Sequence, residues 1–354
     1  FDQQRKGIFK VNEFEKKFAK KLNAKYALAV SSGTAALRVA LASLNLKKND
    51  EVIIQSFTFV ATVEAIIESR AKPICTEVDK TLNMDPNDLI KKISKNTKAV
   101  IVVHMLGVPA KLNQIRNICK KKKITLIEDT AWGCGAKLNN KFLGTWGEIG
   151  AFSFDFAKTI TTGEGGMLVF KKKEQYELAK AWHDHGHENN PKFPRWEDTR
   201  KSSGFNFRMT EMQGAVGIAQ LKKLDFILKK QRENHDLIWK KIKDISLIKK
   251  REYPKNSKIS ADALIIFVEN SKIAKKCRAE LLKNKISTEI LPEAFSWHFA
   301  PSWSHMKSLK IKKNSLSFSK EILSRSVSIP IFIKMKKNVP SKIYNSFKKA
   351  LNFK

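Results

Sequence analysis

Three short segments carry residue types that could act together. The first is Phe152-Ser153-Phe154-Asp155-Phe156-Ala157-Lys158, which continues through Thr159 to Gly163, Gly165 and Gly166. An apolar run ends here in a single lysine. Burial disfavours an ammonium, lowers its pKa and leaves the amine nucleophilic, as a Schiff-base lysine requires. The glycines that follow allow backbone shapes other residues resist, which sets Lys158 apart from a snorkelling surface lysine. The second segment is Leu126-Ile127-Glu128-Asp129, an apolar run that ends in an acidic pair and is followed by Trp132. Ligands of an open parallel sheet sit beyond the carboxyl ends of its strands. A carboxylate there can pair with a protonated pyridine nitrogen, or it can be an ordinary loop acid or helix cap. The third is Ala29-Val30-Ser31-Ser32-Gly33-Thr34-Ala35. It reads as a strand, a small polar turn and a helix start, whose free amides form an anion site or a plain cap.

Such groups need a scaffold, and the surrounding pattern supplies one. Strands are expected at Tyr26–Val30, Glu51–Ile54, Pro73–Thr76, Ala99–His104, Thr125–Glu128, Ile149–Phe154 and Met167–Phe170. Between them lie helical periodicities at Ala35–Leu44, Val60–Ser69, Pro86–Ile93 and Leu112–Lys121. That alternation predicts an α/β fold with a mostly parallel central sheet covered on both faces. The last two strands follow each other without a long helix, so part of the sheet is expected to be antiparallel. One long helix is expected over Thr210–Ile242. Beyond it, short strands at Ala263–Val268, Ser287–Ile290 and Ser326–Ile333 mix with basic helices. The division is therefore 1–240 as a large domain and 241–354 as a smaller α+β one.

Composition narrows the function classes. The chain has 354 residues and a net charge of +34, with 42% hydrophobic and 29% charged residues, enough to build a core. Lysine dominates arginine and is spread along the chain. No zinc finger, arginine-rich tail or RNA-binding aromatic motif accompanies it, so dedicated nucleic-acid binding is not expected. No apolar run approaches the ~20 residues of a spanning helix, so no membrane partner is expected. Cys75, Cys119, Cys134 and Cys277 form no Cys-x-x-Cys pair, which argues against a thiolate zinc site and for a reducing cytoplasm. The chain opens at Phe1 without a charged-then-apolar leader.

The ordered set Ser32-Gly33-Thr34-Ala35-Ala36-Leu37, Phe57-Thr58-Phe59-Val60-Ala61, Glu128-Asp129, Phe152-Ser153-Phe154, Lys158, Gly163-Glu164-Gly165-Gly166 and Gly204-Phe205-Asn206-Phe207-Arg208-Met209 resembles one family over nearly the whole chain. It is that of the pyridoxal-phosphate-dependent sugar aminotransferases, the DegT/DnrJ/EryC1/StrS family. The resemblance implies fold type I, the aspartate aminotransferase-like fold, and pyridoxal 5'-phosphate as cofactor. It implies that Lys158 binds the cofactor as a Schiff base and later moves the proton. Asp129 would pair with the pyridine nitrogen. Gly33, Thr34 and Ser153 would bind the phosphate, and Phe59 would stack on the ring. Asn206 would reach the phosphate of a neighbouring subunit, which implies a homodimer with shared active sites. Trp132 departs from the Gln or His usual at its position beside the phenolic oxygen; an indole N–H donates but cannot accept. The family's first helix and loop are expected ahead of Phe1, so the N-terminus is read as incomplete.

The remaining polar motifs stay open between several readings. His183-Asp184-His185-Gly186-His187 could hold a metal, but no fourth ligand is evident and no metal site is expected. Solvated loop histidines and substrate contact are the alternatives, and the resemblance places this segment in the substrate loop. His185, Arg208 and His298 are the candidate substrate residues. Phe295-Ser296-Trp297-His298 serves core packing or sugar stacking. Val103-His104-Met105, the His185 segment, Trp297-His298 and Ser324-Arg325 look most like the 8-amino-3,8-dideoxy-manno-octulosonate aminotransferase branch. The expected reaction moves an amino group from an amino acid, glutamate, to a keto or aldehyde sugar in surface polysaccharide or lipopolysaccharide synthesis. Sugar dehydration on the same fold and a non-catalytic cofactor-binding regulator are the rivals.

Overall fold

The first element, α1 (Lys10–Leu22), buries Phe14, Phe18 and Leu22, which recur every four residues and so share one helix face. Strand and helix then alternate through β1 (Tyr26–Val30), α2 (Gly33–Ala42), β2 (Glu51–Gln55), α3 (Val60–Glu68), β3 (Lys72–Thr76), α4 (Pro86–Lys92), β4 (Thr97–Val103), α5 (Leu112–Lys122) and β5 (Thr125–Asp129). A short hairpin, β6 (Lys137–Leu138) and β7 (Lys141–Phe142), leads into β8 (Ile149–Ser153), β9 (Gly166–Phe170) and α6 (Lys173–Trp182). The computed structural model describes residues 9–190, 192–200, 202–309, 311 and 315–352. The expectation about the start of the chain falls outside the described residues.

Seven of these strands make one sheet in the order β1-β9-β8-β5-β4-β2-β3. Neighbours from β8 to β3 pair in parallel, whereas β9 runs antiparallel to both β1 and β8. The expected antiparallel component is thus this one strand. Every residue of β8 and β9 is buried, as befits strands covered on both faces. The fold is the α/β, fold type I arrangement, with a mostly parallel central sheet.

Past residue 210 the structure corrects two expectations. The single helix expected over Thr210–Ile242 is two helices, α7 (Glu211–Leu221) and α8 (Leu224–Ile242). α7 begins with a full capping box between Thr210 and Gln213 and lies along α1. At the break, the Lys223 amide bonds the Gln220 carbonyl at 2.9 Å, a tightened turn that redirects the chain. α8 then leaves one core for another. Leu224, Ile227 and Leu228 pack with Phe14 and Phe18, whereas Ile238 and Ile242 join the apolar set around the C-terminal sheet. That sheet holds β10 (Lys249–Lys250), β12 (Ala263–Phe267) and β13 (Ser326–Pro330), while β11 (Ser257–Lys258) pairs instead with β6. α9 (Ser271–Lys283) and α12 (Val339–Leu351) share its core; α10 (Phe295–His298) and α11 (Ser317–Ser324) lie between. The second correction is Ser287–Ile290, which forms no strand. Lys285 and Ile290 both take positive φ, so the segment turns instead of pleating, and only single backbone bonds tie it to Ser328.

Candidate active site

The carboxyl ends of β4, β5 and β8 meet at one cavity of about 420 Å³. Asp129 is the last residue of β5 and Ser153 the last of β8. Gly33, Thr34, Phe59, Trp132, Lys158 and His298 line the same space. The strand ends thus place their loops around one crevice, as expected for an open α/β sheet.

The acidic pair splits across the sheet, because successive side chains of a strand point to opposite faces. Glu128 turns away from the cavity. Its carboxylate accepts from the amides of Gly144 (2.8 Å), Trp146 (2.6 Å) and Gly147 (2.7 Å), and meets His104 Nε2 at 3.0 Å. Burial works against this charge, yet His104 and the Gly147 and Gly144 amides hold the carboxyl below its usual range. Asp129 faces the cavity. It accepts from the Ala131 amide (3.1 Å) and the Thr62 hydroxyl (3.0 Å). Burial dominates here and pushes its carboxyl up, against the pull of Ala131, Thr62 and Lys158. An anion with few donors and an adjoining cavity is suited to a ligand that brings a proton or a positive charge.

Lys158 stands in a turn closed by its own amide to the Asp155 carbonyl at 3.0 Å. Its amine lies over the Trp132 ring, 3.6 Å from the centroid. Burial lowers the proton affinity of this amine, and Asp155, Asp129, Asp262 and Glu289 oppose the shift. Lys158 is half-buried at the cavity wall.

At the other end of the cavity, Ser32 caps α2 by accepting from the Ala35 amide at 3.0 Å. The helix start abuts Ser153 so closely that a Cβ on Gly33 would lie 2.7 Å from the Ser153 Cβ. Only glycine allows that approach, and it leaves the amides of a helix N-terminus beside a serine hydroxyl. Such a cradle fits a phosphate. Phe59, 47% exposed, offers a bare ring to the cavity. Phosphate cradle, aromatic face, buried carboxylate and nucleophilic lysine suit a phosphorylated pyridine aldehyde in each part of its chemistry.

Across the mouth, the segment around α10 docks on the large sheet. The Thr58 amide donates to the His298 carbonyl at 2.9 Å, and Phe57 bridges Phe299. This brings the His298 ring 5.8 Å from that of Phe59. Burial lowers the basicity of His298, and Lys158 lowers it further.

Three expected site residues lie elsewhere in this chain. Asn206 is exposed and bridges Asp184 through the backbone. Arg208 pairs with Asp184, which also takes a fork of two bonds from Arg195 at 2.6 and 2.8 Å. His185 is exposed, with a φ of 53°. The neighbouring histidines turn to separate partners: His183 to the Lys180 carbonyl, and His187 to both Asp198 and Arg200. Thr62 was not singled out by the sequence reading, although it anchors Asp129 and meets Thr58 at 3.0 Å. The signal lay just past the Phe57–Ala61 motif, one residue further into α3.

Known proteins match this arrangement. The model of the DegT/DnrJ/EryC1/StrS aminotransferase family matches residues 4–348. The GDP-perosamine synthase of Escherichia coli O157:H7 is 33% identical over 323 residues, which is 91% of this chain and 85% of that one. Among solved structures, E. coli GDP-4-keto-6-deoxy-D-mannose-3-dehydratase with bound hydrated PLP aligns with a TM-score of 0.86 at 26% identity, covering 96% of this chain and 92% of that one. Helicobacter pylori PseC, an aminotransferase involved in the biosynthesis of pseudoaminic acid, aligns with a TM-score of 0.86 at 25% identity, covering 97% and 91%. With family, fold and cavity in agreement, this chain belongs to the DegT/DnrJ/EryC1/StrS aminotransferase family, the pyridoxal-phosphate-dependent sugar aminotransferases.

Proposed function

We propose that the enzyme transfers an amino group from glutamate to a keto or aldehyde sugar, an octulosonate or a nucleotide-linked keto-hexose, in the synthesis of lipopolysaccharide or another surface polysaccharide. The observation that carries this reading is the meeting of Lys158, Asp129 and the open start of α2 in one cavity. Pyridoxal phosphate, when bound, supplies a ring that draws electrons from the carbon bearing the amine. Lys158 would hold the cofactor covalently, and as a free amine it would be the base that takes a proton from the donor's alpha carbon and later returns one to the product. Asp129 would accept a hydrogen bond from the protonated ring nitrogen and keep it charged. Gly33, Thr34 and Ser153 would hold the phosphate and Phe59 would stack on the ring, while Trp132 lies against the amine of Lys158.

Asn206 is exposed and outside its own chain's cavity, which suits a reach into the site of a second copy. The working unit in this reading is a homodimer in which Asn206 binds the neighbour's phosphate. His298 meets the sugar from one chain, and His185 and Arg208 meet it from the other. In this reading the chain divides into a large domain, 1–240, and a smaller one, 241–354, a division supported by the passage of α8 from one core to another. All four cysteines are free and buried, in keeping with the reducing cytoplasm. Among the described residues, no helix is long and apolar enough to cross a membrane.

The test is the visible absorbance of the protein with pyridoxal phosphate, before and after glutamate. Bleaching by glutamate, and transfer of labelled nitrogen from glutamate into the sugar, is the expected result. A band indifferent to glutamate would overturn the donor. Dehydration is the second reading, favoured by the likeness to the E. coli 3-dehydratase. A deoxygenated product without nitrogen from glutamate would establish it.

A further inference from the structure

One turn of the C-terminal part touches both segments that frame the Lys158 amine. Trp132 lies against that amine, and Thr159 follows Lys158 in the chain. The turn is Ser260-Ala261-Asp262, directly ahead of β12. The Ser260 hydroxyl lies 3.1 Å from the Trp132 carbonyl and 2.6 Å from Asp262 Oδ2. Asp262 Oδ1 accepts from the Thr159 hydroxyl at 3.3 Å and from the Gln231 amide at 3.1 Å. The turn is also strained and close-packed. Ala261 is fully buried with a φ of 65°, where residues with a Cβ are uncommon. Ser260 rests on Gly107, where a Cβ would lie 1.5 Å from the Ser260 hydroxyl oxygen. Backbone held this way persists only where its surroundings over-determine it, and such positions gather at functional sites.

We propose that Asp262 is a positioning residue for Lys158: clamped by Ser260 and Gln231, its carboxylate anchors Thr159, the residue that follows Lys158, and when ionised it sets a negative charge on that side of the Lys158 segment. Among the described residues, the charged and titratable groups whose fields act on the Lys158 amine are Asp155 on its own loop, Asp129, Asp262, Glu289 and His298. Asp129 faces the cavity and is committed to the cofactor there. Asp262 is not among the cavity-lining residues, and its hydrogen bonds to Ser260, Gln231 and Thr159 are made behind the cavity wall. An ionised carboxylate is an acceptor only, and Asp262 meets three donors, the Ser260 and Thr159 hydroxyls and the Gln231 amide. Burial pushes its carboxyl up, while Ser260, Gln231, Lys158 and Thr159 pull the other way. The charge resists the loss of proton affinity that burial imposes on Lys158, so the freed amine can both take and return a proton.

The inference rests on Lys158 as the cofactor-binding lysine, and the test separates the two. The full chain without cofactor is acetylated with acetic anhydride across the alkaline range, and Lys158 is followed by peptide mass spectrometry. Asp262→Asn removes the charge at nearly constant shape. Its half-labelling pH at Lys158 is expected to fall by about one unit, while surface lysines keep theirs. Thr159→Val keeps the charge and removes the anchor, so kcat should drop about tenfold with KM unchanged. It also serves if Asp262→Asn does not fold. A Lys158 midpoint unmoved in Asp262→Asn overturns the charge, and an unchanged kcat in Thr159→Val overturns the anchor. Lys158→Ala is tested alongside with pyridoxal phosphate. If it still acquires the visible band of the bound cofactor, the Lys158 reading itself fails and the role of Asp262 falls with it. If that band is lost and the Asp262 and Thr159 variants behave like the parent, Lys158 stands and Asp262 is structural only.

Discussion

Glu128 and Asp129 are adjacent on β5, yet they occupy opposite kinds of environment. Glu128 is closed: three backbone amides and His104 surround its carboxylate, and neither side chain is exposed. The Ala110 amide donates to His104 Nδ1, which leaves Nε2 as the nitrogen that donates to Glu128. Asp129 is open: it has Thr62 and Ala131 on one side and a cavity on the other. The closed acid has its charge satisfied by the fold. The open one is left for something the fold does not supply. Buried charge therefore marks structure where its partners are complete and function where they are not.

The sharpest way to break this contrast is at Lys158, the open site's cationic partner. Lys158→Ala should lower turnover at least about a thousandfold, with the melting temperature nearly unchanged, measured by coupled assay and calorimetry. Asp129→Asn should follow with a loss on the order of a hundredfold. It carries a second, opposite signature. The carboxyl of Asp129 is raised above its ordinary 3.8, so its contribution to stability is fully present below that value and is lost as pH rises through the raised one. Where Asp129 is ionised, its charge burdens the cofactor-free fold. Asp129→Asn without cofactor should melt no lower than the parent above neutral pH, and higher if the charge is fully developed there. A lower melting temperature would mean that Asp129 is a structural acid like its neighbour.

Glu128→Gln should behave in reverse. An amide puts donors where the parent had only an acceptor, against N–H groups that already point there. We expect a loss of about 3 kcal/mol of stability by urea denaturation. Its carboxyl is held below the ordinary 4.5, so the contribution is present above that value and disappears as pH falls through the lowered one. The gap between parent and Glu128→Gln should accordingly close on acidification. A gap that widened would reverse the assignment of the two acids.

The same contrast explains what could be read from the sequence. The strand ends were legible because apolar runs stop at polar residues, and Gly33, Asp129, Ser153 and Lys158 stand at or just past those stops. The pairing of Glu128 with Asp129 looked like one acidic motif, and only the pleat separates them. Asp262 carried no signal at all: it precedes an ordinary apolar strand, and its partners Thr159 and Gln231 are far away in sequence. The turn at Lys222–Lys223 was hidden because apolar residues recur at helical spacing on both sides of it, while the change of direction answers to two separate cores. Ser287–Ile290 has strand-like composition, but Lys285 ahead of it and Ile290 at its end take positive φ, and the backbone bonds it makes to Ser328 are too few for a ladder.

The smallest expected effect sharpens the comparison most finely, because it concerns a neutral residue. Trp132 stands where the resemblance leads one to expect Gln or His, and its ring face meets the Lys158 amine at 3.6 Å. An aromatic face attracts an ammonium and not a neutral amine, so it supports the protonated form. Burial works in the other direction. Removing the ring should therefore lower the pH at which Lys158 is half labelled, by about half a unit for Trp132→Gln. Trp132→Phe, which keeps a face with a weaker quadrupole, should fall between the two. This order separates attraction by the ring from mere exclusion of water, since phenylalanine excludes water as well as glutamine does or better. If phenylalanine and glutamine shift the midpoint equally, the indole acts by its size alone. The open site would then owe the state of its lysine to carboxylates only, with Asp262 the chief among them outside the cavity.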